Sequence, residues 1–234
     1  MENVINETIQ HVDQAIRSRH SMRNFLDKPV PQALVRELLE LAACAPSSTN
    51  VQPWKVYALC GADKAALSAA VMARFEQGET DGREVDCYPK EWQEPWLSRR
   101  RAVGLGLYKL LGIGKEDKAR MKAQHARNFT FFDAPVGLLL TIDRRLGQGM
   151  LIDCGLFLGN LTIAARARGL DTCIQAFFAD YHKTIRSTVG ISDNEIVLVG
   201  VSLGYANPDA PENKLISERE AVEGFAEFRG FADK

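Results

Sequence analysis

Two stretches constrain the fold more than anything else in this chain: APVGLLLTID, residues 134–143, and EIVLVGVSLGY, residues 195–205. Each is a continuous apolar run of strand length without polar alternation, the pattern of a strand covered on both faces. WKVYALCG, residues 54–61, is a further strand candidate ending at Gly61. Between the two apolar runs lies LIDCGLFLGNLTIAARARGL, residues 151–170. Its length and almost unbroken apolarity read as a helix stopped by Gly169, buried in the protein centre or in a subunit interface. No uninterrupted apolar run reaches the roughly 18 residues that a membrane-crossing helix needs.

The remaining elements are helical. Residues 5–18 place Ile5, Ile9, Val12 and Ile16 at spacings of three and four, which predicts an amphipathic helix fading near Arg19. PQALVRELLELAACA, residues 31–45, predicts a second helix with Pro31 near its start and Pro46 closing it. DKAALSAAVMARF, residues 63–75, reads as a third, with Asp63 as its cap. Helices are expected again at 101–114, 115–129 and, briefly, at 182–190. Residues 76–100 change character: charged, with Pro89, Pro95, Trp92 and Trp96, they form a loop-rich excursion. The tail, 207–231, is polar and extended before a last short helix. Central strands with long helices around them make an α+β protein.

Composition narrows the function classes. With 29 Lys and Arg against 30 Asp and Glu, the formal charge is −1, so there is no field to attract nucleic acid or an anionic membrane. The five cysteines (44, 60, 87, 154 and 173) form no C-x-x-C pair and read as reduced, mostly buried thiols. The first residues lack a cationic start followed by an apolar run, so a cytoplasmic protein is expected. His11, His20, His125 and His182 show no metal-ligand spacing; apart from His20 they are expected at the surface. The glycines of GLGLYKLLG, 104–112, miss the dinucleotide-binding spacing, and GIGKEDK, 112–118, lacks the Ser or Thr of a phosphate-binding loop.

Two polar segments remain. If the first helix stops near Arg19, the run RSRHSMRNF, residues 17–25, is extended, and Arg19, Ser21 and Arg23 point one way. Two guanidiniums flanking a hydroxyl match an anion with polar neighbours, such as a phosphate on a polyol or a heterocyclic carbonyl. In APSSTNVQPW, residues 45–54, Ser47, Ser48, Thr49, Asn50 and Gln52 place five hydrogen-bonding side chains within six positions. That exceeds what a capped turn requires, and the strand that follows Trp54 anchors the loop as a ligand contact.

These segments, together with DCGLFLGNLTIAARARGLDTCIQAF (153–177), resemble in order and spacing the FMN-dependent nitroreductase family, over nearly the whole chain. The resemblance implies a nitroreductase-like α+β fold: a central mixed β-sheet surrounded by helices, in an intertwined homodimer with FMN at the subunit interface. Residues 1–234 would be one domain, with an excursion at about 76–130 covering the flavin face. Arg19, His20, Ser21 and Arg23 match the motif that holds the ribityl phosphate and the flavin pyrimidine edge. Pro46, Ser47, Ser48 and Asn50 match the turn presented by the partner subunit. Ile174, Gln175 and Ala176 fall where backbone meets the hydride-accepting edge, although many members carry Glu-Gly where this chain has Gln175-Ala176. Lys214 stands near the C-terminal phosphate-binding cation, with Arg219 as the alternative.

The implied activity is NAD(P)H oxidation by ping-pong hydride transfer to nitroaromatic or quinone acceptors, with no catalytic side chain and no metal. The alternatives are another flavin reaction on the same fold (ene reduction, dehalogenation, flavin fragmentation) or a flavin-binding redox module without turnover. An arginine at position 23 would stabilise the negative charge of a reduced flavin. Trp92, Trp96, Tyr108, Phe129, Phe131 and Phe132 offer aromatic surface for a planar acceptor or for an interface core.

Overall fold

The structure is a computed structural model that describes residues 2–231, and the side chains of residues 10–231. Four strands form one sheet in the order β1-β2-β4-β3: β1 (Trp54–Cys60), β2 (Val136–Asp143), β3 (Asp171–Gln175) and β4 (Glu195–Gly204). The two apolar runs are the two central strands, as their lack of alternation requires. All three pairings are antiparallel. The one parallel pairing among the described residues is an isolated bridge between Ser21 and Thr172, so the sheet is mixed only through the polar segment after the first helix.

Seven α-helices surround the sheet among the described residues. They are α1 (Glu2–Ser18), α2 (Gln32–Ala42), α3 (Gly61–Glu76), α4 (Trp96–Leu110), α5 (Lys118–Ala126), α6 (Met150–Ala167) and α7 (His182–Val189). Period-two side-chain alternation divides the central strands between two cores. Val136, Leu138, Leu140 and Ile142 face α2 and α6, where Trp54 stacks on Phe157 with ring centroids 5.1 Å apart. Leu139 faces Leu67 and Val71 of α3, Ile185 of α7 and a group of phenylalanines. The register shifts between Leu140 and Thr141, leaving Leu198 without an opposite residue, as a β-bulge does.

The phenylalanine face positions everything that follows. Two 3-10 segments, Arg127–Asp133 and Ala176–Tyr181, lie on it. Phe131 and Phe178 are fully buried and stack on each other, centroids 4.5 Å apart. Each ring occupies a place only glycine leaves free: a Cβ on Gly137 would come within 2.6 Å of Phe131, and one on Gly200 within 2.3 Å of Phe178. Phe131, Phe132 and Asp133 all have positive φ (56°, 51° and 68°), a costly backbone. That bend directs Phe131 into the sheet before β2 begins.

Several expectations need correction. α3 starts at Gly61, and no side-chain hydrogen bond caps it; Asp63 lies in its first turn. α4 begins at Trp96, five residues before the expected start, because Pro95 sets the chain up for a helix. Among the described residues the last helical element of the tail is a short 3-10 turn, Val222–Gly224, rather than an α-helix. Cys44, Cys60 and Cys87 are exposed, so only Cys154 and Cys173 of the five free thiols are buried. His182 is buried against Arg186 (Nη1 to Nδ1, 2.6 Å), whereas His11 and His125 are surface residues.

The apolar helix α6 is covered on one side only. Cys154, Phe157, Leu161 and Ala165 are buried, while Ile152 and Leu156 are 70% and 43% exposed. Its 18 residues have the length and mean hydropathy, 1.3, of a membrane span, yet its buried face packs on α1, α2 and the sheet. On α1, Val12 and Ile16 are also exposed; the side chains of Ile5 and Ile9 lie outside the described residues.

Candidate functional site

The segment after α1 is extended, as its period requires, and is stitched into the sheet. Met22 N donates to the Thr172 carbonyl at 3.1 Å, and Leu26 N to that of Tyr205 at 2.8 Å. Met22 and Phe25 turn into the core, while Arg19, Ser21 and Arg23 stay half-buried. Burial pushes the Cys173 thiol above its usual range, opposed by the charges of Arg23 and Arg19 and by the Ser21 hydroxyl. The bridge between Ser21 and Thr172 sets this segment along β3.

The C-terminal segment clamps the same stretch. Arg23 N donates to Asn213 Oδ1 at 2.7 Å, and Asn213 Nδ2 donates to the Asn24 and Asn207 carbonyls at 2.8 and 2.9 Å. His20 faces the Ser18 and Asn213 carbonyls through its two ring nitrogens, each at 3.0 Å. A neutral ring donates to one of these oxygens and a charged ring to both. Glu212, buried, accepts from Asn24 at 3.1 Å and Arg127 at 2.5 Å. Burial alone would raise its pKa. Its own backbone N–H, Arg127 and Asn24 outweigh that and hold the carboxyl below the usual carboxylate range. Lys214, next to this clamp, is exposed, whereas Arg219 folds back onto Ser217 (Oγ at 2.6 Å) and the Glu218 carbonyl.

A cavity of about 460 Å³ opens beside this segment. Arg23, Cys173, Ile174, Gln175 and Ala176 form one wall, and Phe132 and Phe177 extend it. The lining is completed by Tyr88 of the excursion, Leu107 and Tyr108 of α4, Gln124 and His125 of α5, and Asn128. Ile174 is 43% exposed although it lies in a strand. Gln175 is buried: its Nε2 donates to the Asn128 carbonyl at 2.6 Å, and its Oε1 accepts from Ser202 Oγ at 2.7 Å. Its side chain is thereby committed to joining β3, β4 and the 127–133 segment. Tyr88 is steadied by Arg83, which lies 4.8 Å over its ring and makes a two-pronged ion pair with Asp180 (2.5 and 2.8 Å). His125 meets the edge of Phe177 at 4.5 Å, and burial lowers its pKa.

The cavity thus brings Arg23 together with Ile174, Gln175 and Ala176, and Arg19, His20 and Ser21 lie alongside in the same stitched segment. It does not bring in the polar turn. Pro46, Ser48 and Asn50 are exposed and Ser47 is half-buried, and none of them lines the cavity. The turn is rigid all the same. Gln52 N donates to Ser47 Oγ at 3.0 Å, and Thr49, Asn50 and Gln52 all have positive φ. Ser48 N donates to Asp153 at 3.2 Å, tying the turn to the first turn of α6 beside exposed Ile152 and Leu156.

Of the expected aromatic surface, Tyr108 and Phe132 line the cavity, Phe129 and Phe131 are core, and Trp96 is exposed. Sequence reasoning missed Tyr88, Gln124, His125, Asn128 and Asn213. No periodicity or motif marks them, and their roles arise from contacts between segments far apart in the chain. Among the described residues no cluster of His, Cys, Asp and Glu could hold a metal.

Comparison with known proteins places this geometry. The sequence model of the nitroreductase family matches residues 16–205. The chain is 39% identical over 223 residues to a 4-nitrobenzoate reductase of Nocardioides sp. strain LMS-CY, covering 94% of this chain and 90% of that protein. It is 38% identical over 222 residues to a nitrobenzene nitroreductase of Ectopseudomonas oleovorans, covering 94% and 98% of the two chains. Among solved structures, the FMN- and NADPH-dependent nitroreductase NfnB of Sphigopyxis sp. strain HMH superposes with a TM-score of 0.91 at 36% identity, over 94% of this chain and 99% of that one. NfnB of Mycobacterium smegmatis, solved with NADPH, superposes with a TM-score of 0.90 at 27% identity over the same shares. With a matching sequence model, fold and stitched basic segment, the chain belongs to the nitroreductase family.

Proposed function

We propose that the chain is an FMN-dependent oxidoreductase that uses NADPH, or NADH, to reduce nitroaromatic or quinone acceptors. The observation that carries this reading is the convergence of Arg23 and the end of β3 on one aromatic-walled cavity. The residues present fit the cofactor. Its volume, about 460 Å³, suits a planar ligand, a guanidinium lies on one wall, and Lys214 is an exposed cation next to the segment that carries Arg19. The names of the relatives and neighbours support the same cofactor, nicotinamide and acceptor class.

FMN, when bound, supplies a ring that takes two electrons from the nicotinamide and passes them to the acceptor. Arg19 and Lys214 would neutralise the phosphate, with Ser21 and His20 completing its polar surroundings. Arg23 would face the pyrimidine edge, where a fixed cation favours the more negative, reduced state. Ile174, Gln175 and Ala176 would present backbone, since the Gln175 side chain is committed elsewhere. Tyr88, Tyr108 and the end of α5, all within the excursion at about 76–130, would cover the ring and exclude water. Residues 1–234 are read here as one domain.

The working unit is proposed to be a homodimer, with Pro46, Ser47, Ser48 and Asn50 contributed to the partner's cofactor. Support comes from the juxtaposition of a rigid exposed turn with the bare apolar side of α6. A cytoplasmic setting suits five free thiols, three of them exposed.

Replacing Arg23 by Ala tests the reading. Loss of a charge-assisted contact is expected to weaken FMN retention roughly 10- to 100-fold and to lower the flavin reduction potential. Equilibrium dialysis and spectroelectrochemistry measure both. Unchanged values for the two would remove the role assigned to Arg23, and a parent protein that binds no FMN would remove the whole reading.

A further inference from the structure

Arg83 stands near the start of the excursion, and its guanidinium is held in two directions. In its plane it donates to both carboxylate oxygens of Asp180, Nε to Oδ1 at 2.5 Å and Nη2 to Oδ2 at 2.8 Å. A fork of this kind fixes the orientation of the plane as well as its distance. The Tyr88 ring lies 4.8 Å from the guanidinium carbon, in the arrangement that attracts a cation to an aromatic face. The Arg83 side chain is 14% exposed and that of Asp180 23%, so most of the solvent is kept from the pair.

Asp180 is itself immobilised. It belongs to the 3-10 segment Ala176–Tyr181, whose first two residues line the cavity. On either side of Asp180 that segment is pinned by buried rings: Phe178 stacks on Phe131, and Tyr181 meets Phe129 with centroids 5.0 Å apart. The Asp180 carbonyl accepts from Asp81 N at 2.8 Å and from Thr80 Oγ1 at 3.0 Å. Asp81 in turn accepts from Lys183 N, at the start of α7, at 3.0 Å. The start of the excursion is thus bonded to the rigid base that carries Ala176 and Phe177, and Arg83 extends that rigidity to Tyr88. The Tyr88 ring is 49% exposed, and the aromatic beside it, Trp92, is tilted at 5.8 Å.

We propose that Arg83 and Asp180 are positioning residues for acceptor choice: their ion pair holds the Tyr88 ring in the cavity wall, and a wall held there rejects aromatic acceptors wider than a single ring. The proposal rests on the flavoenzyme reading above and deepens it by assigning selection to a pair outside the cavity lining. Discrimination by size is discrimination by clash, and a clash counts only against a wall that does not yield. An exposed tyrosine without support turns about its side-chain bonds within nanoseconds, and would make way for a wider ligand. Fixed to Arg83, and through it to Asp180, the ring can move aside only by breaking a shielded, two-pronged pair.

The test compares nitrobenzene with 1-nitronaphthalene, which differ by one fused ring. Titration of the FMN-loaded protein without nicotinamide, followed by the flavin absorbance, reads binding apart from turnover. The parent should bind nitrobenzene the more tightly, despite the larger apolar surface of the second ring. Arg83→Met, similar in length but without charge or fork, should shift the ratio of the two dissociation constants about tenfold towards 1-nitronaphthalene. Asp180→Asn should shift it the same way, and the double variant should go no further, because both changes break one pair.

A parent that binds 1-nitronaphthalene the more tightly would overturn the proposal, as would an unchanged ratio in Arg83→Met. An equal change in both dissociation constants, the result of a purely structural pair, would also overturn it. In a Tyr88→Ala background no ring remains to be held, so adding Arg83→Met should leave the ratio where Tyr88→Ala set it. A further shift would show Arg83 acting by another route and would sink the proposal. If Arg83→Met does not fold, Asp180→Asn, of the same shape and with its carbonyl contacts intact, must give the shift for the proposal to stand. Loss of bound FMN from the folded variants would assign the pair to the cofactor and overturn the proposal as well. Failure of the parent to bind FMN is a separate result that strikes the flavoenzyme reading.

Discussion

Gly137 and Gly200 show how much of the site depends on single atoms. Both lie on central strands at points where a phenylalanine ring presses on the backbone, and the two rings stack on each other. Phe178 follows Ala176 and Phe177, and Phe131 follows Asn128, so the glycines set how deeply both cavity-forming segments sit. Gly200→Ala would place a Cβ 2.3 Å from Phe178. It should cost about 1–3 kcal/mol of stability by overpacking, read as a lower denaturant midpoint at constant slope. An unchanged midpoint would mean that the ring can withdraw, and that the glycine is not what seats the segment. Neither glycine stands out in the sequence, where each is simply a small residue in an apolar run.

At the scale of elements, the cavity is held by clamps between segments distant in sequence. Glu212 joins the C-terminal segment to Asn24 and Arg127, and Arg83 joins the excursion to Asp180. Because the folded chain holds the Glu212 carboxyl below its usual range, the clamp contributes stability above the ordinary carboxylate pKa. That contribution is lost as the pH falls through the lower, folded value. Glu212→Gln should therefore unfold more readily at neutral pH yet lose less stability than the parent between about pH 5 and pH 3, the window spanning an unperturbed glutamate. Parallel acid limbs in thermal scans of the two proteins would contradict this. Glu195 behaves similarly. Burial would raise it, but Lys55, Thr141 and Tyr57 hold it low, so the variant should remove only part of the acid limb.

At the scale of the molecule, one chain leaves too much apolar surface uncovered. Ile152 and Leu156 of α6 and Val12 and Ile16 of α1 are all at least 43% exposed, and the rigid polar turn ends beside that α6 stripe. Leu156→Glu should cost the single chain little, because the position is exposed within it. Across the subunit contact proposed above it should be disruptive, burying a charge without a partner. Sedimentation is expected to show a shift from dimer to monomer, accompanied by loss of FMN. A variant that remains dimeric and yellow would move the interface elsewhere.

The sequence by itself determined the elements and their class. Unbroken apolar runs of strand length read as buried strands, the longer one as a helix, helical periods and Pro31 place the start of α2, and a basic segment after α1 has no use in a core. Local chemistry suffices there, because each signal lies within a dozen residues of chain. Only the tertiary structure decided that Arg23 shares a cavity with the end of β3, that the Gln175 side chain is tied up by Asn128 and Ser202, and that Tyr88 and Tyr108 line the same cavity. Those outcomes follow from which distant segments pack together, and packing depends on shapes complementary in space, which no single stretch of residues contains.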